Sequence, residues 1–253
     1  VSGAVVLGDL TTLSWVVLAL GALVVGLSKT ALPGAGTVAV ALFAAVLPAR
    51  ESTATLLLLL IVGDMLALWA YRRHAKWRAL IRLIPAVLAG ILLGVLFLAF
   101  ADDAWVRRVI GVLLLVVVAV TLWRRWAAAS VDRVAGGGWP AAVVYGTLGG
   151  FTTMVANAAG PVMSMYFLAA RFPVKAFLGT AAWFFAVVNI GKVPFAAALG
   201  LFSLDGLWID LWLIPAVLLG GVLGRLIAGR IRQVVFERLV IALTIVGALY
   251  LLW

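Results

Sequence analysis

LIPAVLAGILLG at Leu83–Gly94 and LIPAVLLGGVLG at Leu213–Gly224 agree at 9 of 12 positions without a gap. Shared hydrophobicity alone does not produce that match, so the 253-residue chain reads as a duplication. Working outward from it, Gly26, Gly36 and Val38 fall opposite Gly150, Gly160 and Val162. Pro48 and Thr55 fall opposite Pro173 and Thr180, and Asp64 falls opposite Asn189. The expected halves are residues 1–126 and 140–253, joined by a linker over 127–139 that contains Gly136–Gly138.

Apolar residues make up 66% of the chain and charged residues 11%, against about 45–50% and about 25% in soluble domains. A water-soluble globule is excluded. The apolar residues run over Ser52–Tyr71, Leu80–Phe100, Trp105–Trp126, Phe177–Leu199, Leu211–Gly229 and Val234–Trp253. Each run is near the ~20 residues that cross a bilayer as a helix. Two further regions, 13–47 and 140–170, are interrupted near the middle by SKTALPGAG (Ser28–Gly36) and TTMVANAAG (Thr152–Gly160). Their arms, of about 12–17 residues, read as hairpins too short to span. No run alternates with period two, so a strand barrel is excluded. The fold expected is an all-α integral membrane protein of two repeats, each a broken, re-entrant-like hairpin followed by three transmembrane helices.

A net charge of +10 raises the question of nucleic acid, but the basic residues lie between apolar runs rather than on one solvated face. They set membrane sidedness instead. Arg72, Arg73, Lys76, Arg78 and Arg82 crowd one loop, and Arg225, Arg230, Arg232 and Arg238 another. The opposite loops mix Arg50, Arg107 and Arg108 with Glu51, Asp102 and Asp103, or carry only Asp205 and Asp210. The loop before Leu83 is therefore basic and the loop before Leu213 acidic, which places the two halves upside down relative to one another. Both termini then face outward, and the run Leu13–Leu27, with no basic segment before it, reads as membrane rather than as a cleaved signal. Inverted repeats with interrupted helices are a secondary-transporter architecture whose site lies at the breaks.

With no cysteine and one histidine, His74, thiolate metal sites, disulfides and Cys/His catalysis are excluded. No phosphate-binding or dinucleotide fingerprint occurs, no catalytic constellation converges, and no cofactor is called for. At each break a new short helix is expected to begin, at Pro33 or Asn157, with its N–H groups aimed into the membrane. Two such starts facing one another make an anion site. Ser28, Thr30, Thr152, Thr153 and Asn157 supply hydrogen-bond donors there, and Lys29 a full charge.

Lys29, Asp64 and Lys192 are ionisable groups inside apolar segments, each requiring a compensating partner. The two lysines read as counter-charges to an anion, and Asp64 as a proton carrier or a lysine's partner. A structural Asp–Lys pair is the competing reading. Asn189, Thr180 and Trp183 share the span of Lys192, where ligand contact and interhelical packing are equally open. Gly90, Gly94, Gly220 and Gly224 read as close helix contacts.

GLSKTALPGAG (Gly26–Gly36), IVGDMLALWAYRRH (Ile61–His74), GFTTMVANAAGPVMSMYFL (Gly150–Leu168) and FLGTAAWFFAVVNIGKVPF (Phe177–Phe195) resemble the recurring stretches of the TauE/SafE sulfite exporter family of bacterial membrane transporters. The resemblance implies export of a small sulfur-containing anion, such as sulfite or sulfoacetate, across the cytoplasmic membrane, driven by an ion gradient. An uptake permease or a channel for a small anion is the alternative. Lipid is the expected surrounding, nucleic acid is not a partner, and self-association into a homo-oligomer is compatible with the pattern. The resemblance supplies the sulfur; the residues themselves specify an anion.

Overall fold

The computed structural model describes residues 8, 10–31, 35–127, 139–170, 172–227 and 233–253. The helices described in the first half are α1 (Thr12–Thr30), α2 (Gly36–Val46), α3 (Ala49–Tyr71), α4 (Trp77–Phe100) and α5 (Asp103–Ala127). In the second half come α6 (Trp139–Ala156), α7 (Ala159–Ala169), α8 (Val174–Ala198), α9 (Leu204–Ile227) and α10 (Gln233–Leu252). A 3-10 turn at Arg72–His74 joins α3 to α4. The linker residues 128–138 lie outside the described residues. Helices dominate because backbone N–H and C=O groups in hydrocarbon must be satisfied within the segment. Pro48 and Pro173, opposite one another in the duplication, precede α3 and α8 with φ of −50° and −56°, close to the helical value that the ring imposes.

The hairpins differ from expectation. α1 has 19 residues and α6 has 18, whereas α2 and α7 have 11 each. Each hairpin therefore has one long arm and one short arm, and the break is not central. The polar stretches stay helical because their hydroxyls bond back along the helix: Ser28 Oγ donates to Val25 O (2.8 Å), Thr30 Oγ1 to Gly26 O (3.1 Å) and Thr152 Oγ1 to Leu148 O (2.8 Å). Among the described residues, α1 joins α3, α4, α8 and α9 as helices long and apolar enough to cross a membrane.

Asn157 does not start α7; it terminates α6. Its φ of 51° is left-handed, a conformation that asparagine tolerates better than most residues. Asn157 N–H donates to Thr153 O (3.1 Å), the 5→1 closure of an αL helix end, and Ala158 N–H donates to Thr152 O (3.2 Å). Pro33, the expected start of α2, lies outside the described residues.

The halves are interlocked through glycine. α1 lies along α9, and a Cβ on Gly26 would overlap the Val217 carbonyl, just as one on Gly220 would overlap the Leu23 carbonyl. α6 lies along α4 in the same manner, with Gly150 against the Val87 carbonyl and Gly90 against that of Thr147. Small residues let helix backbones approach where lipid gives no hydrophobic drive to associate. Equivalent helices also meet each other antiparallel. α3 and α8 touch at Asp64–Asn189 and again where Lys76 N–H donates to Thr180 Oγ1 (2.9 Å). α5 and α10 touch where Arg107 donates to Tyr250 O (3.2 Å) and Gly111 meets Ala248.

Candidate functional site

The ends of α1 and α6 and the starts of α2 and α7 surround one cavity between α3 and α8. Counted out into the open solvent at its mouth, the space amounts to about 700 Å³. Gly36 and Thr37 from the first turn of α2 line it, and so do Gly160 and Pro161 from the first turn of α7. Two helix starts, with backbone N–H groups lacking an intrahelical partner, thus border the same space. Gly36 leaves the backbone open to approach there; a Cβ on it would meet nothing nearer than Ser28 Oγ at 3.7 Å.

The charged centre lies on the α1 side. Lys29 Nζ is 2.5 Å from Asp64 Oδ1 and 4.5 Å from the centroid of the Phe185 ring. Asp64 is fully buried, and its Oδ2 accepts from Asn189 Nδ2 (2.6 Å). The Lys29 side chain retains 11% exposure, so the cavity reaches the cation more readily than the acid. Asn189 Oδ1 is buried without a hydrogen-bond partner among the described residues. Lys192 lies behind the α6 end, 1% exposed, and its ammonium donates to Thr153 O (2.8 Å), Thr153 Oγ1 (3.0 Å) and Asn157 Oδ1 (2.6 Å). Capping a helix C-terminus with a cation is electrostatically favourable. Lys29 and Asp64 thus pair at the cavity, while Lys192 is bound to the end of α6 behind its wall.

Of the residues singled out from the sequence, Ser28, Lys29, Asp64, Thr153, Asn157 and Asn189 line the cavity. Four others do not. Thr30 Oγ1 donates across to Gly221 O (3.1 Å) in the α1–α9 seam, and Thr152 is turned back onto its own helix. Lys192 is screened from the space by Thr153 and Asn157. Trp183 does not sit free within the span: its indole N–H donates to Arg72 O (3.1 Å) and its ring packs on Trp77 at 5.0 Å. The 3-10 turn folds against α8 at that level, giving Trp183 and Thr180 packing partners.

The family model described as Sulfite exporter TauE/SafE matches residues 18–251. That range contains both breaks, both lysines and the Asp64–Asn189 contact. The chain belongs to the TauE/SafE sulfite exporter family. Members are membrane transporters of small anions. No curated protein and no solved structure matches the chain. On this TauE/SafE chain the lining also includes residues that the sequence did not single out. Thr37, Leu60, Ala67, Leu178 and Phe185 sit within uniformly apolar runs, where only tertiary packing distinguishes a cavity wall from a lipid face. Tyr71, whose hydroxyl donates to Thr30 O (3.1 Å) and so ties α3 to the end of α1, is hidden in the same way.

Proposed function

We propose that this chain is a secondary active transporter that exports sulfite or a small organosulfonate across the bacterial cytoplasmic membrane by alternating access, with proton linkage through Asp64. The observation that carries the reading is the meeting of two helix starts and the Lys29 ammonium on a single cavity. An oxyanion with three acceptor oxygens suits the N–H groups of the α2 and α7 first turns, the Ser28 hydroxyl and the Lys29 ammonium. The walls formed by Leu60, Ala181, Ala182 and Phe185 leave room for a short carbon tail. The antiparallel α3–α8 and α5–α10 pairs, together with the basic and acidic loops, support two inverted halves, 1–126 and 140–253, with both termini outward.

Asp64 neutralises Lys29 while the site is empty, so an arriving anion competes with Asp64 for the ammonium. A proton on Asp64 removes that competition, and by linkage the anion then favours the proton. The sign follows: proton and anion travel together. In liposomes containing the purified protein and loaded with sulfite, efflux should saturate with concentration, and an inside-acid gradient should accelerate it. Sulfoacetate and taurine compared with sulfite measure the tolerance for a tail, and sulfate tests the selectivity. Flux that rises linearly without saturation, or no sulfite flux at all, refutes the transporter reading; acceleration by an outside-acid gradient refutes the direction of the proton linkage.

A further inference from the structure

The cavity is symmetric at its centre and lopsided at its edge. In the register set by Thr55 opposite Thr180 and Asp64 opposite Asn189, Leu60 falls opposite Phe185, and all of 60, 64, 185 and 189 line the space. Beyond that centre the correspondence fails. Leu178, Ala181 and Ala182 line the cavity on α8, whereas their counterparts on α3, Thr53, Leu56 and Leu57, do not. Ala67 lines it on α3, and its counterpart on α8, Lys192, does not. Because α3 and α8 are antiparallel, every one of these unmatched lining positions lies toward the Arg72–His74 turn, and every shut counterpart lies toward Pro48.

The shut side is held by a continuous polar chain. Lys192 Nζ uses its three donors on Thr153 O, Thr153 Oγ1 and Asn157 Oδ1, leaving none for a bound anion. Asn157 Nδ2 donates onward to Thr53 O (2.8 Å), and Thr53 Oγ1 returns to Val155 O (3.3 Å). Helix α8, the tip of the second hairpin and the start of α3 are thereby tied together just past the cavity. Farther along, Ser203 Oγ donates to the Glu51 carboxylate and accepts from Gly206 N–H (2.9 Å), adding a bond between α3 and the start of α9.

We infer that Lys192 is a latch: through Asn157 it pins the second hairpin tip against α3 and closes the cavity on the Pro48 side, and releasing it opens that side to the substrate. The inference rests on the alternating-access reading and assigns Lys192 a positioning role in place of an anion-binding one. Sequence-equivalent positions that are open in one half and closed in the other are what two-state exchange between the halves requires. The open wing has no counterpart of the latch, since Ala67 and Leu178 stand where Lys192 and Thr53 would be.

The chain has no cysteine, so each one introduced is the sole thiol. Ala182→Cys and Leu57→Cys occupy matched positions on the open and shut sides. In sealed vesicles of known sidedness, a membrane-impermeant maleimide should label Ala182→Cys from the face bearing the Arg72–His74 turn, and Leu57→Cys from neither face. Adding Lys192→Met to Leu57→Cys should raise labelling from the opposite face by about tenfold, the shift expected when charge-assisted hydrogen bonds that favour one state are lost. Asn157→Gly keeps a left-handed turn accessible while deleting the carboxamide, and should act in the same direction. Ala182→Cys in each variant reports that the fold persists, and Asn157→Gly decides if Lys192→Met does not fold. A Leu57→Cys that is labelled without any second change, or that stays protected in folded Asn157→Gly, overturns the latch. No substrate enters the assay, so a failed latch and a failed anion reading, the latter seen as absent sulfite flux in liposomes, are separate results.

Discussion

The two hairpin tips occupy equivalent positions and carry opposite arrangements of charge. At the first, the tip supplies the cation, Lys29, and the following span supplies the acid, Asp64, with the lysine reaching the cavity. At the second, the tip is neutral, and the following span supplies a lysine that is buried behind Thr153 and Asn157. Asp64 and Asn189, which face each other between the halves, show the same division into charged and neutral. The two tips are alike in sequence and unlike in charge: the proposed anion contact falls on the first and the proposed fastening on the second.

The sharpest way to break this comparison is to remove one lysine at a time and read sulfite binding to the purified protein. Lys29→Met should weaken it by about 100-fold, the scale for deleting one partner of a buried charge pair. Lys192→Gln, which retains a donor toward Thr153 and Asn157, should change affinity by less than about tenfold. Equal losses in both would erase the distinction. Asp64→Asn tests the acid: sulfite efflux from liposomes should persist while its acceleration by an inside-acid gradient disappears. The scaffold that the tips share is tested by Gly150→Val, which forces a side chain against the Val87 carbonyl. It should cost about 1–3 kcal/mol or more, seen as a fall in the thermal midpoint in detergent, and Gly26→Val in the α1–α9 seam should match it. The smallest effect belongs to Trp183→Phe, which loses the indole bond to Arg72 O and trims the ring contact with Trp77. It should lower stability by about 1 kcal/mol and leave sulfite affinity unchanged.

Much of this was legible in residues. The twin LIPAVL segments marked the helices that the opposite halves grip, and Gly90, Gly94, Gly220 and Gly224 do lie in close helix contacts, as their spacing implied. The breaks were placed by polar and glycine-rich composition, but their extent was overread. Ser28, Thr30 and Thr152 can satisfy hydroxyls on their own helix, so polarity alone does not unwind a segment. Asn157 is at home at either end of a helix, and only its φ assigns it to the end of α6. The orientation of Lys192 was beyond reach because its partners Thr153 and Asn157 stand 39 and 35 residues away in the chain. Nothing local announces which side of α8 faces them.

The crossed pairing of α1 with α9 and α6 with α4 bears on how the molecule is made. When α1 enters the bilayer during synthesis, the surface that will accept Gly26 has not yet been translated, since Thr30 and its partner Gly221 in that seam stand 191 residues apart. The α1–α9 seam therefore closes only after all the helices between its two partners have been made, whereas the α4–α6 seam can close as soon as α6 follows α5.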